Sequence, residues 1–451
     1  MSSAAIDQTY VQTPGKRGQV ISWALWDWGS AAYNAVILTF VFSVYLTDSV
    51  GADLPGSVSA NSWLAWSIGI AGFFIAVLAP VTGQRADAGG HRKLSLGVWT
   101  GLVIAATAGL FFVKDEYTYL WLGLVLLALG SIFFEFASVS YNAMLRQVST
   151  PDNIGRISGF GWAMGYFGGI ILLLLVYVGF VVGEGDTRGA LGISTDGGLN
   201  IRLIALVAAL WFALFAVPVL LKVPETPGLP KDKRLGFFAS YKKLFADLKG
   251  LYRSDPHTVY FLGASALFRD GLAAIFTFGA VLAVTVYDIN EADVLIFGVA
   301  ANISSALGAI VGGRLDDRLG PKAVVMGSLI GMLISGGILA FLEGPTAFWI
   351  FGLLLTLFVG PAQSSSRTYL ARLTPPGHEG QMFGLYATTG RAVSFLAPSL
   401  VGFFTFAFQS DRAGIIGILL VLAAGTLALW RVRPPSADLD TAHRESAGTR
   451  G

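Results

Sequence analysis

Twelve runs of predominantly apolar residues, each long enough to cross a bilayer, constrain this chain more than any other feature of its sequence. They lie near residues 20–47, 62–83, 94–113, 118–147, 157–183, 200–222, 257–286, 292–313, 323–342, 346–372, 380–407 and 413–431. A membrane-spanning helix needs about 20 such residues. In hydrocarbon every backbone polar group must be satisfied within the segment, so runs of this length fold as helices. The expected fold is therefore an all-α integral membrane protein with about twelve spans. Composition agrees: 54% of the 451 residues are hydrophobic and only 13% are charged, against roughly a quarter charged in soluble domains. A soluble enzyme and a secreted disulfide scaffold are excluded, the latter also by the absence of cysteine. A net charge of +2 gives no footing for nucleic acid.

Basic residues orient the spans. With the N-terminus placed in the cytoplasm, 23 Lys and Arg fall in inside segments, while the outside segments hold only Lys114, Arg188, Arg202 and Arg412. The positive-inside rule then puts both termini in the cytoplasm and requires an even number of spans. Met1 to Gln19 is polar and lacks the apolar core of a signal peptide, so the first run reads as a retained helix. The organisation is a cytoplasmic tail over 1–19, a six-helix bundle over 20–222, a cytoplasmic linker over 223–256, a second six-helix bundle over 257–431 and a tail over 432–451. Within the linker, Phe238, Tyr241, Phe245, Leu248 and Tyr252 recur at helical steps with Lys242, Lys243, Lys249 and Arg253 between them. This spacing predicts a basic amphipathic helix resting on an anionic leaflet.

The halves repeat. Gly83-Gln-Arg-Ala-Asp87-Ala-Gly-Gly90-His-Arg92 follows the second span, and Gly313-Arg-Leu-Asp-Asp317-Arg-Leu-Gly320-Pro-Lys322 follows the eighth, 230 residues later. Arg146, Gly155, Gly159 and Gly165 are matched by Arg372, Gly380, Gly384 and Gly390 at offsets of 225 to 226. Two matches at nearly one offset indicate a duplicated six-helix unit in parallel orientation, a plan suited to two halves rocking about a central site.

The G-x-x-x-D-x-x-G-x-(R/K) loops resemble the hallmark cytoplasmic loop of the major facilitator superfamily. Trp23-Ala-Leu-Trp-Asp27-Trp-Gly-Ser, Ser140-Tyr-Asn142-Ala-Met-Leu145, Ile157-Ser-Gly-Phe-Gly-Trp162-Ala-Met-Gly-Tyr166 and Phe268-Arg269-Asp270-Gly271 resemble the branch containing the fungal vacuolar amino-acid effluxer and its bacterial relatives. The resemblance implies a cavity lined by helices 1, 4, 7 and 10, with helices 5 and 8 facing each other across the halves. It also implies export of a small solute, most simply a neutral amino acid; with no nucleotide site, transport is expected to be passive or driven by an ion gradient, protons being the expected coupling ion. The implied place is the cell membrane, or a vacuolar membrane in a eukaryote.

Six ionisable groups fall inside spans: Asp27, Glu135, Arg269, Asp270, Arg367 and Arg391. An unpaired Arg or Asp at mid-bilayer costs about 2.5 to 3.5 kcal/mol, so these groups must face one another or a wet cavity. Arginine presents a planar fork to a substrate carboxylate, and a carboxylate suits a substrate ammonium or a transported proton. The alternative is that all six are permanently paired and hold helices in register. Uncharged cavity candidates are Tyr33, Asn34, Tyr141, Asn142, Trp162, Tyr166 and Gln363, each equally suited to interhelical hydrogen bonding.

Two further sets concern movement. Gly161, Gly165 and Gly169 in the fifth span and Ala301, Ser305, Ala309 and Gly313 in the eighth stand at steps of four, and are expected to form the sliding contact between the halves. Asp87, Arg92, Arg146, Asp317, Arg318 and Arg372 are the expected gating residues, the two aspartates accepting from a helix N-terminus of the opposite half. No Walker loop, H-E-x-x-H or G-x-S-x-G occurs, and no cofactor or metal site is expected. Rival readings are a drug or lipid exporter of the same fold and a transport-inactive receptor.

Overall fold

The computed structural model describes residues 15–225 and 236–433. The expected tail residues 1–14 and 434–451, and linker residues 226–235 with Lys231, Lys233 and Arg234, lie outside the described residues. Among the described residues, twelve helices are long and apolar enough to cross a membrane. In chain order, spans 1 to 6 are Arg17–Val50, Ala60–Gly89, Arg92–Phe112, Tyr117–Val148, Ile154–Val181 and Asp196–Lys222. Spans 7 to 12 are Pro256–Tyr287, Ile296–Leu319, Pro321–Phe341, Pro345–Leu373, Glu379–Phe408 and Asp411–Trp430. The protein is thus a multi-pass membrane protein. The β-structure among the described residues is a two-stranded hairpin between spans 5 and 6, pairing Thr187–Arg188 with Ile193–Ser194.

Spans 1 to 6 pack among themselves, as do spans 7 to 12; the halves meet where span 2 packs on span 11, span 5 on span 8, span 5 on span 10 and span 4 on span 11. Both ends of the described chain lie at one end of the bundle. Gly15 abuts Val148 at the close of span 4, and the Arg433 carbonyl accepts from the Tyr369 hydroxyl near the close of span 10. The duplicated loops lie at this same basic end.

Local geometry explains the repeated loop. Spans 2 and 8 stop at Gly90 (φ 66°) and Gly320 (φ 83°), left-handed positions that a glycine occupies without strain. The leading glycine has a different role. A Cβ on Gly313 would fall 2.5 Å from the Gly155 carbonyl oxygen of span 5, and Gly83 meets Gly380 of span 11 in the same way. One motif therefore combines a close crossing between halves, a carboxylate one turn on, and a helix stop.

Span 11 is interrupted. Its first piece ends at Val393 and its second, Leu396–Phe408, begins beyond Ser394 and Phe395. Pro398 has no N–H to return to Ser394, so the helix ladder cannot run through this point. The linker helix Phe237–Ser254 lies against span 2, where the Tyr241 hydroxyl donates to the Val77 carbonyl at 2.8 Å. Its apolar set is divided: Tyr241, Leu244 and Leu248 turn to the protein, while Phe238, Phe245 and Tyr252 are exposed. Protein packing thus takes Tyr241 and Leu248, two of the five residues expected to rest on a leaflet.

Candidate functional site

The polar contacts that join the halves are confined to part of the molecule. Proceeding from the basic end, they begin at the duplicated loops and end at two pairs: Tyr166 hydroxyl to Gln363 Oε1 at 3.3 Å, and Arg391 Nη2 to Glu135 Oε2 at 3.0 Å. Beyond that level no hydrogen bond or ion pair joins the halves among the described residues. The polar clasp between the halves is therefore confined, among the described residues, to the basic end and the level of these two pairs.

The clasp is double. Asp87 at the end of span 2 accepts the N–H of Gly380 at 3.0 Å and of Gln381 at 2.9 Å, first-turn donors of span 11 that have no partner within the helix. Asp317 at the end of span 8 accepts the N–H of Gly155 at 2.7 Å and of Arg156 at 3.2 Å at the start of span 5. A carboxylate suits this position because the first N–H groups of a helix lack internal partners and carry its positive dipole end. Around Asp87, Arg92 reaches both that carboxylate, 2.6 Å away, and Glu379 at 2.5 Å, and Arg146 donates to the Thr374 carbonyl at 2.7 Å with Glu379 at 3.4 Å. Around Asp317 stand Arg156 at 2.8 Å and Arg372 at 4.0 Å, the latter lying 3.1 Å from the fully buried Asp316.

Toward the membrane centre, Arg367 of span 10 inserts into the first half. Its Nε donates to Ser158 Oγ at 2.9 Å and its Nη2 to the Ser158 carbonyl at 2.7 Å. Nη1 reaches Asn142 Oδ1 at 3.2 Å and Asp27 Oδ2 at 3.5 Å. Asp27 also accepts from the Tyr141 hydroxyl at 2.8 Å. The other groups sit higher. Arg269 of span 7 lies over the Tyr386 ring, 3.7 Å from its centroid, and donates to the Tyr386 carbonyl at 2.9 Å. Asp270 accepts the Ala397 N–H at 2.7 Å, capping the second piece of the broken span 11. As adjacency on a helix requires, Arg269 and Asp270 do not neutralise each other. The six intramembrane charges therefore resolve into two ion pairs, one helix cap and one arginine with no carboxylate within 4.0 Å among the described residues.

A twelve-span helical fold of this kind is shared with solved transporters. The fucose:proton symporter FucP of E. coli superimposes with a TM-score of 0.70 at 13% identity, over 92% of this chain and 98% of its own. The human organic anion transporter MFSD10 does so at 0.69 and 15% identity, over 92% and 100%. These likenesses establish the major facilitator fold. A model of the family described as "Vacuole effluxer Atg22 like" matches residues 16–441. The chain belongs to this Atg22-like family. It is thus a secondary transporter of the major facilitator superfamily, not an enzyme. Relatives include an uncharacterized MFS-type transporter, YxiO of Bacillus subtilis, 25% identical over 94% of this chain and 97% of that protein. Autophagy-related protein 22 of Cryptococcus neoformans is 27% identical over 61% of this chain; the match spans half of the fungal protein's length.

Other residues of this Atg22-like transporter fall differently from expectation. Gly161, Gly165 and Gly169 face span 1, not span 8: a Cβ would lie 3.0 Å from Asp27 Oδ2 for Gly161, 3.6 Å from the Asp27 carbonyl oxygen for Gly165, and 3.5 Å from Ala31 for Gly169. The contact with span 8 uses Gly155 and Gly159, which meet Gly313 and Ala309. Gly159 and Gly161 are two residues apart, hence about 200° around the helix, on opposite faces. Ser305 donates to the Thr356 carbonyl of span 10 at 2.9 Å and also stands beside the Tyr166 hydroxyl of span 5, as expected of the contact between the halves, and Ala301 is buried. Arg318 is exposed and has no ion pair among the described residues. Asn34 is exposed on span 1, in a π-helical stretch, with its side chain in no hydrogen bond among the described residues. Tyr33 donates to the Leu127 carbonyl at 2.8 Å and bridges spans 1 and 4.

Asp316, Glu379 and Arg156 join the site beyond the residues expected from the sequence, and Trp23, which opens the first-span motif, joins them through its ring. The Asp316-Asp317 doublet and the acidic first turn of span 11 were the available signals.

Proposed function

We propose that this transporter exports small zwitterionic solutes, amino acids above all, by alternating access coupled to protons. On this reading the basic end faces the cytoplasm, so the present arrangement is the outward-facing state. The membrane is the cell membrane, or a vacuolar membrane in a eukaryotic source. The supporting observation is Arg269. Of the three intramembrane arginines it alone lacks a carboxylate within 4.0 Å among the described residues, since Arg367 pairs with Asp27 and Arg391 with Glu135. An arginine steadied by an aromatic face and one carbonyl retains donors for a substrate carboxylate. The half-buried Glu135–Arg391 pair stands across the same level and supplies a carboxylate for an ammonium or a proton. The names of relatives point the same way: the family description is of an effluxer, and one solved neighbour, FucP, is a proton symporter.

The test is purified protein in liposomes with an imposed amino-acid gradient. Neutral amino acids are expected to move above the empty-liposome background, faster with a pH gradient, and Arg269→Gln is expected to abolish movement. No transport of any of the twenty amino acids at either polarity of the pH gradient defeats the proposal.

A further inference from the structure

We propose that the aromatic nest around Arg367 is a binding site for an organic ammonium cation, occupied by the protein's own guanidinium while the basic end is clasped and vacated when it opens. The inference deepens the transport reading above, resting on alternating access but not on amino-acid cargo or proton coupling.

All the partners of Arg367 belong to the first half, whereas Arg367 belongs to the second. Its guanidinium carbon lies 5.0 Å from the Trp23 ring centroid, 5.8 Å from Tyr141 and 5.6 Å from Trp162. Three rings within about 6 Å of one cation, with a carboxylate among them, form the kind of cage that recognises quaternary and alkyl ammonium groups. The Asp27 carboxylate supplies the counter-charge.

The walls do not depend on Arg367. Trp23 stacks on Tyr141 at 4.6 Å and 9°, and its Nε1 donates to the Tyr141 carbonyl at 3.2 Å. Trp26 stacks on the other side of Tyr141 at 4.3 Å and is anchored to Thr100 at 3.0 Å. Gly161 forms part of the wall: a Cβ there would lie 2.8 Å from the Trp23 ring. When the halves part at the basic end, span 10 withdraws its arginine while the rings, held within the first half, stay assembled. A buried carboxylate left without its cation then needs another.

A second observation points to the ligand. Trp162 Nε1 is a buried donor with no partner among the described residues. Arg367 brings no acceptor to it. A ligand carrying an ammonium group and a hydrogen-bond acceptor would satisfy both the cage and this donor.

The experiment uses the full chain in detergent with Arg367→Ala, which empties the cage while the Asp87 and Asp317 clasps keep all their residues. Tryptophan fluorescence is titrated with tetramethylammonium chloride against sodium chloride at equal ionic strength. A saturable change is expected in Arg367→Ala, at least ten-fold tighter than in the parent protein and lost on adding Asp27→Asn. If Arg367→Ala is not monodisperse, Arg367→Gln, which keeps a donor for the Ser158 carbonyl, takes its place. No difference from sodium chloride, binding indifferent to Asp27→Asn, or equally tight binding by the parent protein overturns the proposal. The readout needs neither an amino acid nor a gradient, so its failure is distinct from failure of the liposome test.

Discussion

Gly384→Ala should open the basic end, and the size of the effect follows from the crossing of spans 2 and 11. A Cβ on Gly384 would lie 2.5 Å from both the Ala79 carbonyl oxygen and Pro80 Cα, where ordinary contact begins at 3.4 Å. The helices must separate by the difference, about 0.9 Å, because backbone and a proline ring offer no rotamer to move aside. The same displacement stretches the Asp87 bonds to Gly380 and Gln381 from 3.0 and 2.9 Å to about 3.9 and 3.8 Å, beyond hydrogen-bond range. Bonds to a charged acceptor contribute about 1.5 to 3 kcal/mol each, so roughly 3 to 6 kcal/mol of the clasp is lost. At about 1.4 kcal/mol per decade that shifts the closed-to-open ratio by two to four decades. The chain has no cysteine, so Ser364→Cys, at the 1% exposed residue whose carbonyl accepts from Ser158 across the halves, is a single reporter. Its maleimide labelling rate in detergent should rise by at least a hundred-fold in Gly384→Ala. Gly165→Ala is the control: its Cβ would sit at 3.6 Å from the Asp27 carbonyl oxygen, an ordinary contact within the first half. Both changes share the gain in helix propensity. Equal labelling in the two variants refutes the reasoning.

Three further outcomes are expected. Asp87→Asn should lower the thermal midpoint of the detergent-solubilised protein more than Asp317→Asn, because Arg92 beside Asp87 is 6% exposed and Arg156 beside Asp317 is 58% exposed; the reverse order would refute the ranking. Asp270→Ala removes the cap on Ala397, costs about 1 kcal/mol and should speed hydrogen exchange over residues 396–399, with unchanged exchange counting against the cap. Asp27→Asn and Asp270→Asn should uncouple transport in liposomes from pH while exchange persists, Asn being as good a helix cap as Asp; unchanged pH dependence in both assigns these carboxylates to structure.

Much of this was legible because the governing physics is one-dimensional. A span announces itself by an apolar run. The crossing at Gly83 and Gly313 and the carboxylates four residues on announce themselves by repetition. Glu379 escaped because its counterpart in the first half is Ile154, and Asp316 escaped because its counterpart is Ala86. A repeat exposes what both halves keep and hides what only one has. Nor does spacing fix rotation about a helix axis: Gly161, Gly165 and Gly169 make a regular stripe, yet which neighbour it meets depends on where spans 1 and 8 stand. The pairing of Arg92 with Glu379 joins residues 287 apart in sequence and follows from no local pattern.

The same asymmetry makes the two crossings unequal in strength although their backbones match. Each has two carboxylates and two arginines at its clasp, so neither carries a net charge. At spans 2 and 11 the Asp87, Arg92 and Glu379 side chains are 5%, 6% and 7% exposed, and separating buried partners costs about 3 to 5 kcal/mol. At spans 5 and 8 one of the two arginines, Arg156, is largely in solvent, where a pair is worth about 0 to 1 kcal/mol. The linker helix adds to the difference. It holds span 2 through Tyr241 and meets span 11 through Asp247, which accepts from Gln381 at 3.4 Å, and the second crossing has no such helix among the described residues. Parting at the basic end therefore costs more along spans 2 and 11 than along spans 5 and 8, so a duplicated fold acquires a stiff side and a yielding side from side chains that the duplication does not share.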